Sequence, residues 1–175
     1  MNETSHATVG QSLGLYPVVI TWRGRELHLD QPGFPAIAKI EEEVARRILA
    51  VPEQIESLVS PEKYQEELAA ARLAVAANQH QFGGQAYRTV VAGPDGVALQ
   101  LWACLRKDLP LDEVKTLVAS EPTQALLAYA RLVPDFLSAA AARRGTPPEH
   151  VAKMLQEAEP KIQALLAKHQ IVFTR

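Results

Sequence analysis

The chain has 175 residues, of which 47% are hydrophobic, and a formal net charge of −2. This length is sufficient for one globular core of ordinary size, so we expect a single domain. The slightly acidic balance gives no electrostatic reason to expect binding to nucleic acid or to an anionic membrane. Cys104 is the sole cysteine, which excludes an internal disulfide and fits a reducing, cytoplasmic location.

Residues 1–15 lack the basic start and the apolar stretch of a secretion signal, and they predict a disordered leader. No apolar run approaches the ~18 residues that cross a bilayer, so we expect no membrane partner. We expect residues 16–175 to form one domain that is mainly α-helical, resembles a helical bundle and carries a small N-terminal β-hairpin.

The first predicted element is the β-hairpin, Val18–Leu29. Two short runs of alternating residues flank Arg23 and Gly24, and Gly24 can take the positive φ that a tight turn requires. The alternation places four apolar residues on one face: Ile20, Trp22, Leu27 and Leu29. Because a lone hairpin is marginally stable in water, the helices that follow should cover this face.

Two amphipathic helices should come next. The first has apolar residues at helical spacing over 37–51, and Pro52 should interrupt it, with only a short helical piece between Pro52 and Ser60. The second begins after Ser60, which can cap it, and should end near Asn78. Adjacent carboxylates such as Glu41–Glu43 point in different directions on a helix, so we expect them to be solvated.

The middle of the chain permits two interpretations. The first is a second hairpin around Gly93–Gly96, because residues 87–91 have a strand-like composition and a turn signal follows them. The other is a helix that begins after Asp95 and continues to Lys107. We favour the helix.

Three further helices are expected after this point. The first is short and starts at Asp112, and the second is long, with a kink at Pro134. The last has Thr146 as its cap and a kink or break at Pro160. The apolar end, residues 171–173, either docks on the core or serves as a tail that binds a partner.

Residues suited to catalysis or metal binding are sparse. The five histidines lie in separate segments without metal-ligand spacing, and no glycine-rich loop has a phosphate-binding form. Cys104 lies on the apolar side of a predicted helix, where a thiol is usually buried and inert. We therefore expect no enzyme activity, no metal and no cofactor. The alternative is a catalytic site that the fold assembles from distant residues, which would require a deep pocket with perturbed polar groups.

Protein binding is the class of function that is left. Aromatic anchors dominate many interfaces, although a core position is the commoner place for a tryptophan. Arginines at a hairpin tip and an apolar chain end are also suited to contact with a partner. The candidate partner-binding residues are Trp22, Arg23, Arg25, Trp102, Leu105, Ile171 and Phe173.

Two segments resemble parts of a known family. The run Ile20-Thr21-Trp22-Arg23-Gly24-Arg25-Glu26-Leu27-His28-Leu29 resembles the β-turn-β start of tail assembly chaperones of long-tailed bacteriophages and prophages. The run Leu99–Lys107, with Leu111-Asp112-Glu113-Val114 after it, is similar to their Leu-Trp-rich helix and the helix that follows it. These segments cover about a fifth of the chain, and Pro110 stands where the family often has a Thr or Ser cap.

The resemblance implies a non-enzymatic chaperone in the host cytoplasm. Such a protein would bind the tape measure protein and the tail tube subunits during tail assembly. The alternative is a generic helical adaptor or regulatory subunit of a bacterial protein complex.

Overall fold

The computed structural model describes residues 16–171, which form a helical domain with a short N-terminal β-hairpin. The expected fold class is therefore confirmed. The leader over 1–15 and Phe173 lie outside the described residues. The strands are β1 (Val18–Trp22) and β2 (Arg25–Leu29), and a 3₁₀ turn (Glu56–Leu58) follows the first helix. The helices are α1 (Phe34–Ile55), α2 (Pro61–Ala76), α3 (Gln85–Ala92), α4 (Gly96–Cys104), α5 (Leu111–Ser120), α6 (Pro122–Arg143) and α7 (Pro148–Lys168).

The hairpin has the predicted register and faces. Val18 pairs with Leu29, and Trp22 pairs with Arg25 across a two-residue turn. Arg23 and Gly24 have φ values of 49° and 71°, as a turn that matches the strand twist requires. The predicted apolar face is confirmed, because Ile20, Trp22, Leu27 and Leu29 are all buried, and Val18 is buried with them.

Other parts of the chain cover both edges of the hairpin. Leu105 forms an antiparallel bridge with Leu29 of β2, next to a hydrogen bond of 2.8 Å from Asp30 N to Cys104 O. At the edge of β1, Thr21 N donates to Gln124 Oε1 of α6 at 3.1 Å. The predicted continuation of α4 to Lys107 is therefore wrong, because the chain after Cys104 is extended and pairs with β2.

Two apolar clusters share α6. The larger one lies between the hairpin, α1, α4, α5 and one face of α6, and its fully buried members include Ile37, Leu99 and Leu132. The smaller one joins α6 to α7 through five buried residues: Leu126, Ala130, Val133, Ile162 and Leu166. Within the described residues, α6 alone has the length and apolar composition of a membrane span, and half of that span is buried in the domain. Its packing on two clusters accounts for this composition.

The favoured interpretation of the middle segment is confirmed. Residues 87–91 lie in α3, and α4 begins at Gly96, so no hairpin forms around Gly93–Gly96. The β-propensity of residues 87–91 is outweighed by packing, since Tyr87 is buried and its ring meets the edge of Phe82. A Cβ at Gly96 would overlap the Val91 carbonyl oxygen, so glycine permits the tight join between the two helices.

Three expectations about helix ends are corrected. Pro52 does not interrupt α1, which continues to Ile55 and into the 3₁₀ turn, because the proline ring is fully buried and its packing offsets one lost backbone bond. Pro160 lies inside α7, which runs unbroken from Pro148 to Lys168, so the expected break does not occur, and the alternative of a kink stays a prediction. Thr146 does not cap α7, because the cap position falls on Pro147 and makes no side-chain cap bond. Ser60 does cap α2, accepting from Lys63 N at 3.3 Å.

Candidate functional site

The candidate residues at the hairpin tip divide into one buried anchor and two exposed arginines. Trp22 is 6% exposed, and its Nε1 donates to Ser120 Oγ at 3.1 Å, so it holds the tip against the end of α5. The Arg23 guanidinium lies 4.4 Å from the centre of the Trp22 ring, a cation–π arrangement. Arg25 is exposed beside them. Of the three candidate residues at this tip, the two arginines are exposed and the tryptophan is not.

Trp102 and Leu105 also contribute to internal packing. Trp102 is half-buried, and its Nε1 donates to Leu109 O at 2.9 Å. Lys39 Nζ lies 4.2 Å from the centre of its ring and donates to Asp108 Oδ1 at 3.0 Å. Trp102 therefore holds the segment before α5 against α1, while Leu105 is half-buried in its bridge with β2.

As far as the structure describes it, the apolar chain end docks on the core, which is the first of the two expected alternatives. Ile171 is half-buried against the α6–α7 cluster, and its N donates to Leu166 O at 3.0 Å. The structure therefore distributes the described candidates over the hairpin tip, the α4–α5 connection and the end of α7. It does not bring them together in one site.

The nucleophilic and metal-ligating groups give no candidate centre. Burial raises the pKa of the Cys104 thiol well above its ordinary value, and nearby Asp30 raises it further, so this thiol stays protonated. Burial likewise raises the pKa of Tyr16, whose hydroxyl donates to Asp135 Oδ2 at 2.5 Å. Within residues 16–171, no group of three His, Cys, Asp or Glu side chains is placed to hold a metal ion.

Two of the three adjacent carboxylates are buried, which corrects the expectation that all are solvated. Glu41 is 7% exposed, and its Oε1 accepts from Phe82 N at 3.0 Å. Its Oε2 lies 3.1 Å from Arg143 Nη2 of α6. The loop before α3 and the end of α6 both pack over this part of α1. The Glu41 carboxylate therefore joins three parts of the chain.

Glu43 is the second buried carboxylate. Arg46 Nε donates to it at 2.7 Å and Arg47 Nε at 2.8 Å. Burial opposes ionisation of Glu43, but these two hydrogen bonds outweigh it and hold the pKa of the carboxyl below its ordinary value. Arg47 also reaches Asp95 Oδ2 at 3.3 Å. This network fixes the α3–α4 turn to α1.

The main apolar surface lies on an arm that the sequence analysis did not single out. The arm consists of the end of α1, the 3₁₀ turn and α2. Ala71 is the one buried residue of α2. Leu58 is 78% exposed and Leu73 is 69% exposed. Leu49 and Val51 of α1 are exposed as well. Single exposed apolar residues are ordinary, but four large ones on one arm mark a candidate contact region.

A second apolar feature is a cleft between α6 and α7. It has a volume of about 390 Å³ and is open to solvent. Its lining is Ser138, Ala142, Thr146, Pro148, Val151, Ala152 and Leu155. None of these residues is charged, so the cleft suits an apolar occupant more than a polar substrate.

Comparisons of the chain with protein-family models, with curated proteins and with solved structures find no match. The arm and the cleft are therefore interpreted from their geometry alone.

Proposed function

We propose that this chain is a non-enzymatic tail assembly chaperone of a long-tailed phage or prophage. It binds the tape measure protein and tail tube subunits in the host cytoplasm while the tail is assembled. The resemblance of the hairpin and of the Leu99–Lys107 segment supplies the family in this proposal. The observation that carries the binding role is the arm with its exposed Leu58 and Leu73.

The arm is suited to cover apolar helices of another protein. Burying a leucine side chain against a client contributes about 1.5–3 kcal/mol, so a few such contacts give useful affinity. Helix α2 is buried at Ala71, and Leu73, two residues later and thus on the opposite side of the helix, is 69% exposed. An amphipathic client helix can lie along such a surface without displacing any part of the core.

Co-expression tests this proposal. The tagged chain is produced together with the products of its neighbouring genes, and the proteins captured with it are identified by mass spectrometry. Recovery of a long helical tape measure protein or of a tail tube protein supports the chaperone function. Recovery of a different stoichiometric partner, with neither of these proteins, replaces it with the adaptor function.

A matched pair of variants tests the role of the arm. The quadruple variant Leu49→Ser, Val51→Ser, Leu58→Ser and Leu73→Ser should lose most of the captured client. The control is Val19→Ser with Phe34→Ser, because both side chains are large, apolar and exposed but lie outside the arm. Equal capture by the two variants would exclude the arm as the contact region.

A further inference from the structure

Helix α7 is held to the domain mainly near its C-terminal end. It folds back along α6 after the short connection 144–147 and packs chiefly on that helix. Its buried residues are Ile162 and Leu166, both in its second half, and they belong to the smaller apolar cluster. The first half contributes Val151 and Leu155, both half-buried, to the open cleft. The docking of α7 therefore depends on one small cluster at the far end from the connection.

Two features of the local sequence lower the stability of the docked helix relative to a released one. Pro160 lies inside α7 and removes its backbone hydrogen bond to Gln156 O. Pro160 is exposed, so burial does not offset this loss as it does at Pro52. In the connection, Gly145 has a φ of 65°, and a glycine recovers more backbone freedom on release than any other residue. The connection is thus suited to act as a hinge.

The face of α6 beneath α7 has the pattern of a surface that binds a helix. Leu126, Ala130, Val133 and Leu137 recur at positions i, i+4, i+7 and i+11. The first three are buried in the smaller cluster, and Leu137 packs against it. Such a stripe is what an amphipathic helix contacts, and α7 meets it with apolar residues four positions apart. The opposite face of α6 is fixed in the larger cluster, so α6 stays in place when α7 leaves.

We propose that α7 is a displaceable cover: it separates from α6 as a unit, and the uncovered stripe binds an amphipathic helix of the partner in its place. The partner helix is apolar along the face in contact, because the side chains that join α6 to α7 in the cluster are apolar. The identity of that partner rests on the proposed function, to which this surface adds a second contact region besides the arm. The opening of α7 is a property of the chain alone.

Cysteine labelling of the full chain tests the opening. Ala130 and Ala128 are both 3% exposed in α6, but Ala130 lies in the smaller cluster and Ala128 in the larger one. A maleimide reagent should label Ala130→Cys about tenfold faster than Ala128→Cys, with the native Cys104 of the larger cluster as the internal reference. Adding Leu166→Ser should speed labelling at position 130 about tenfold more and leave position 128 unchanged, whereas Ala164→Ser, at an exposed site, should change neither.

Hydrogen exchange of the unaltered chain gives a second measurement, which does not depend on whether the cysteine variants fold. The amides of α7 should exchange about tenfold faster than those of α4, because α4 exchanges only when the larger cluster opens. Equal labelling at positions 128 and 130, or exchange of α7 and α4 at one common rate, would overturn the proposal.

A peptide of residues 148–168 tests the uncovered stripe as a binding surface. It should bind the full chain with Ile162→Ser and Leu166→Ser about tenfold more tightly than the native chain, where the native α7 competes for the same stripe. The peptide with the same two substitutions is the control and should bind neither chain. Failure of the native peptide to bind the opened chain would overturn the proposal. Labelling at position 130 that slows as the chain is concentrated would assign the stripe to a second copy and overturn it as well. These experiments use this chain alone, so their failure is distinguishable from failure to capture a client in co-expression.

Discussion

Replacing Glu41 with alanine should weaken the domain more than its position in a run of three glutamates suggests. The side chain is 7% exposed and joins α1 to two other parts of the chain. Its Oε1 accepts from Phe82 N at 3.0 Å, and its Oε2 lies 3.1 Å from Arg143 Nη2. Phe82 in turn packs its ring against the edge of the Tyr87 ring, with the ring centres 5.5 Å apart. The substitution therefore removes the anchor of the loop before α3.

The magnitude follows from the two contacts. Leaving the Phe82 N–H without its acceptor costs about 1–3 kcal/mol, because the group is taken from water without compensation. The contact with Arg143 contributes about 0–1 kcal/mol, because 37% of the arginine side chain is exposed and solvent screens the pair. We expect Glu41→Ala to lower the free energy of unfolding by about 2–3 kcal/mol. Glu41→Gln keeps an acceptor oxygen, and we expect it to cost about 1 kcal/mol.

Urea unfolding followed by circular dichroism measures these differences. The control is Glu42→Ala on the same helix, where the side chain is exposed and the change should stay within about 0.5 kcal/mol. The dependence of the unfolding free energy on urea should be unchanged, because the surface buried in the fold is the same. If Glu41→Ala and Glu42→Ala unfold at the same urea concentration, the carboxylate does not anchor the loop.

Three further predictions concern a thiol, a carboxyl group and a glycine. Cys104 should resist thiol reagents in the native protein and react fully in denaturant, and rapid native labelling would contradict its burial. The pKa of Glu43 lies below its ordinary value of 4.5, so its stabilising effect is present above pH 4.5 and is lost as the pH falls below that value. Thermal unfolding should show that Glu43→Gln costs stability at neutral pH and that the deficit shrinks in acid; a deficit that is constant with pH would contradict this. Gly96→Ala should destabilise the domain by several kcal/mol in urea, since its Cβ meets the Val91 carbonyl oxygen, whereas Gly33→Ala places its Cβ at an ordinary 3.7 Å from Pro35; equal unfolding of the two variants would contradict the steric argument.

Local patterns predicted the hairpin and the start of α2 well. Alternation along β1 and β2 determines which side chains face the helices, and a shift by one residue would expose all of them. Ser60 followed by Pro61 gives a cap and a helix start that depend on neighbouring residues alone. Such features need no knowledge of the rest of the fold, and this is why they could be read from the sequence.

Features that depend on distant residues were not predictable in this way. The end of α4 at Cys104 is set by β2, whose free edge pairs with Leu105 from another part of the chain. The burial of Glu41 requires Phe82 and Arg143 to arrive from a loop and from α6. The helical spacing of apolar residues would be the same if α4 were longer or if Glu41 were solvated. No local signal therefore predicts that α4 ends at Cys104 or that Glu41 is buried.

The candidate contact region on the arm was also missed for a physical reason. The tryptophans were considered as anchors although the core is their commoner place, and Trp22 does lie in the core, where burial of so large a side chain stabilises a domain with few aromatics. Val51 has the same helical spacing as the buried Val44 but is 50% exposed, while Pro52 beside it is fully buried. Whether an apolar position belongs to the core or to the surface therefore depends on which neighbouring elements reach that side of the helix. The same holds for Leu58, which is 78% exposed, and a client protein of the proposed function would contact this part of the surface.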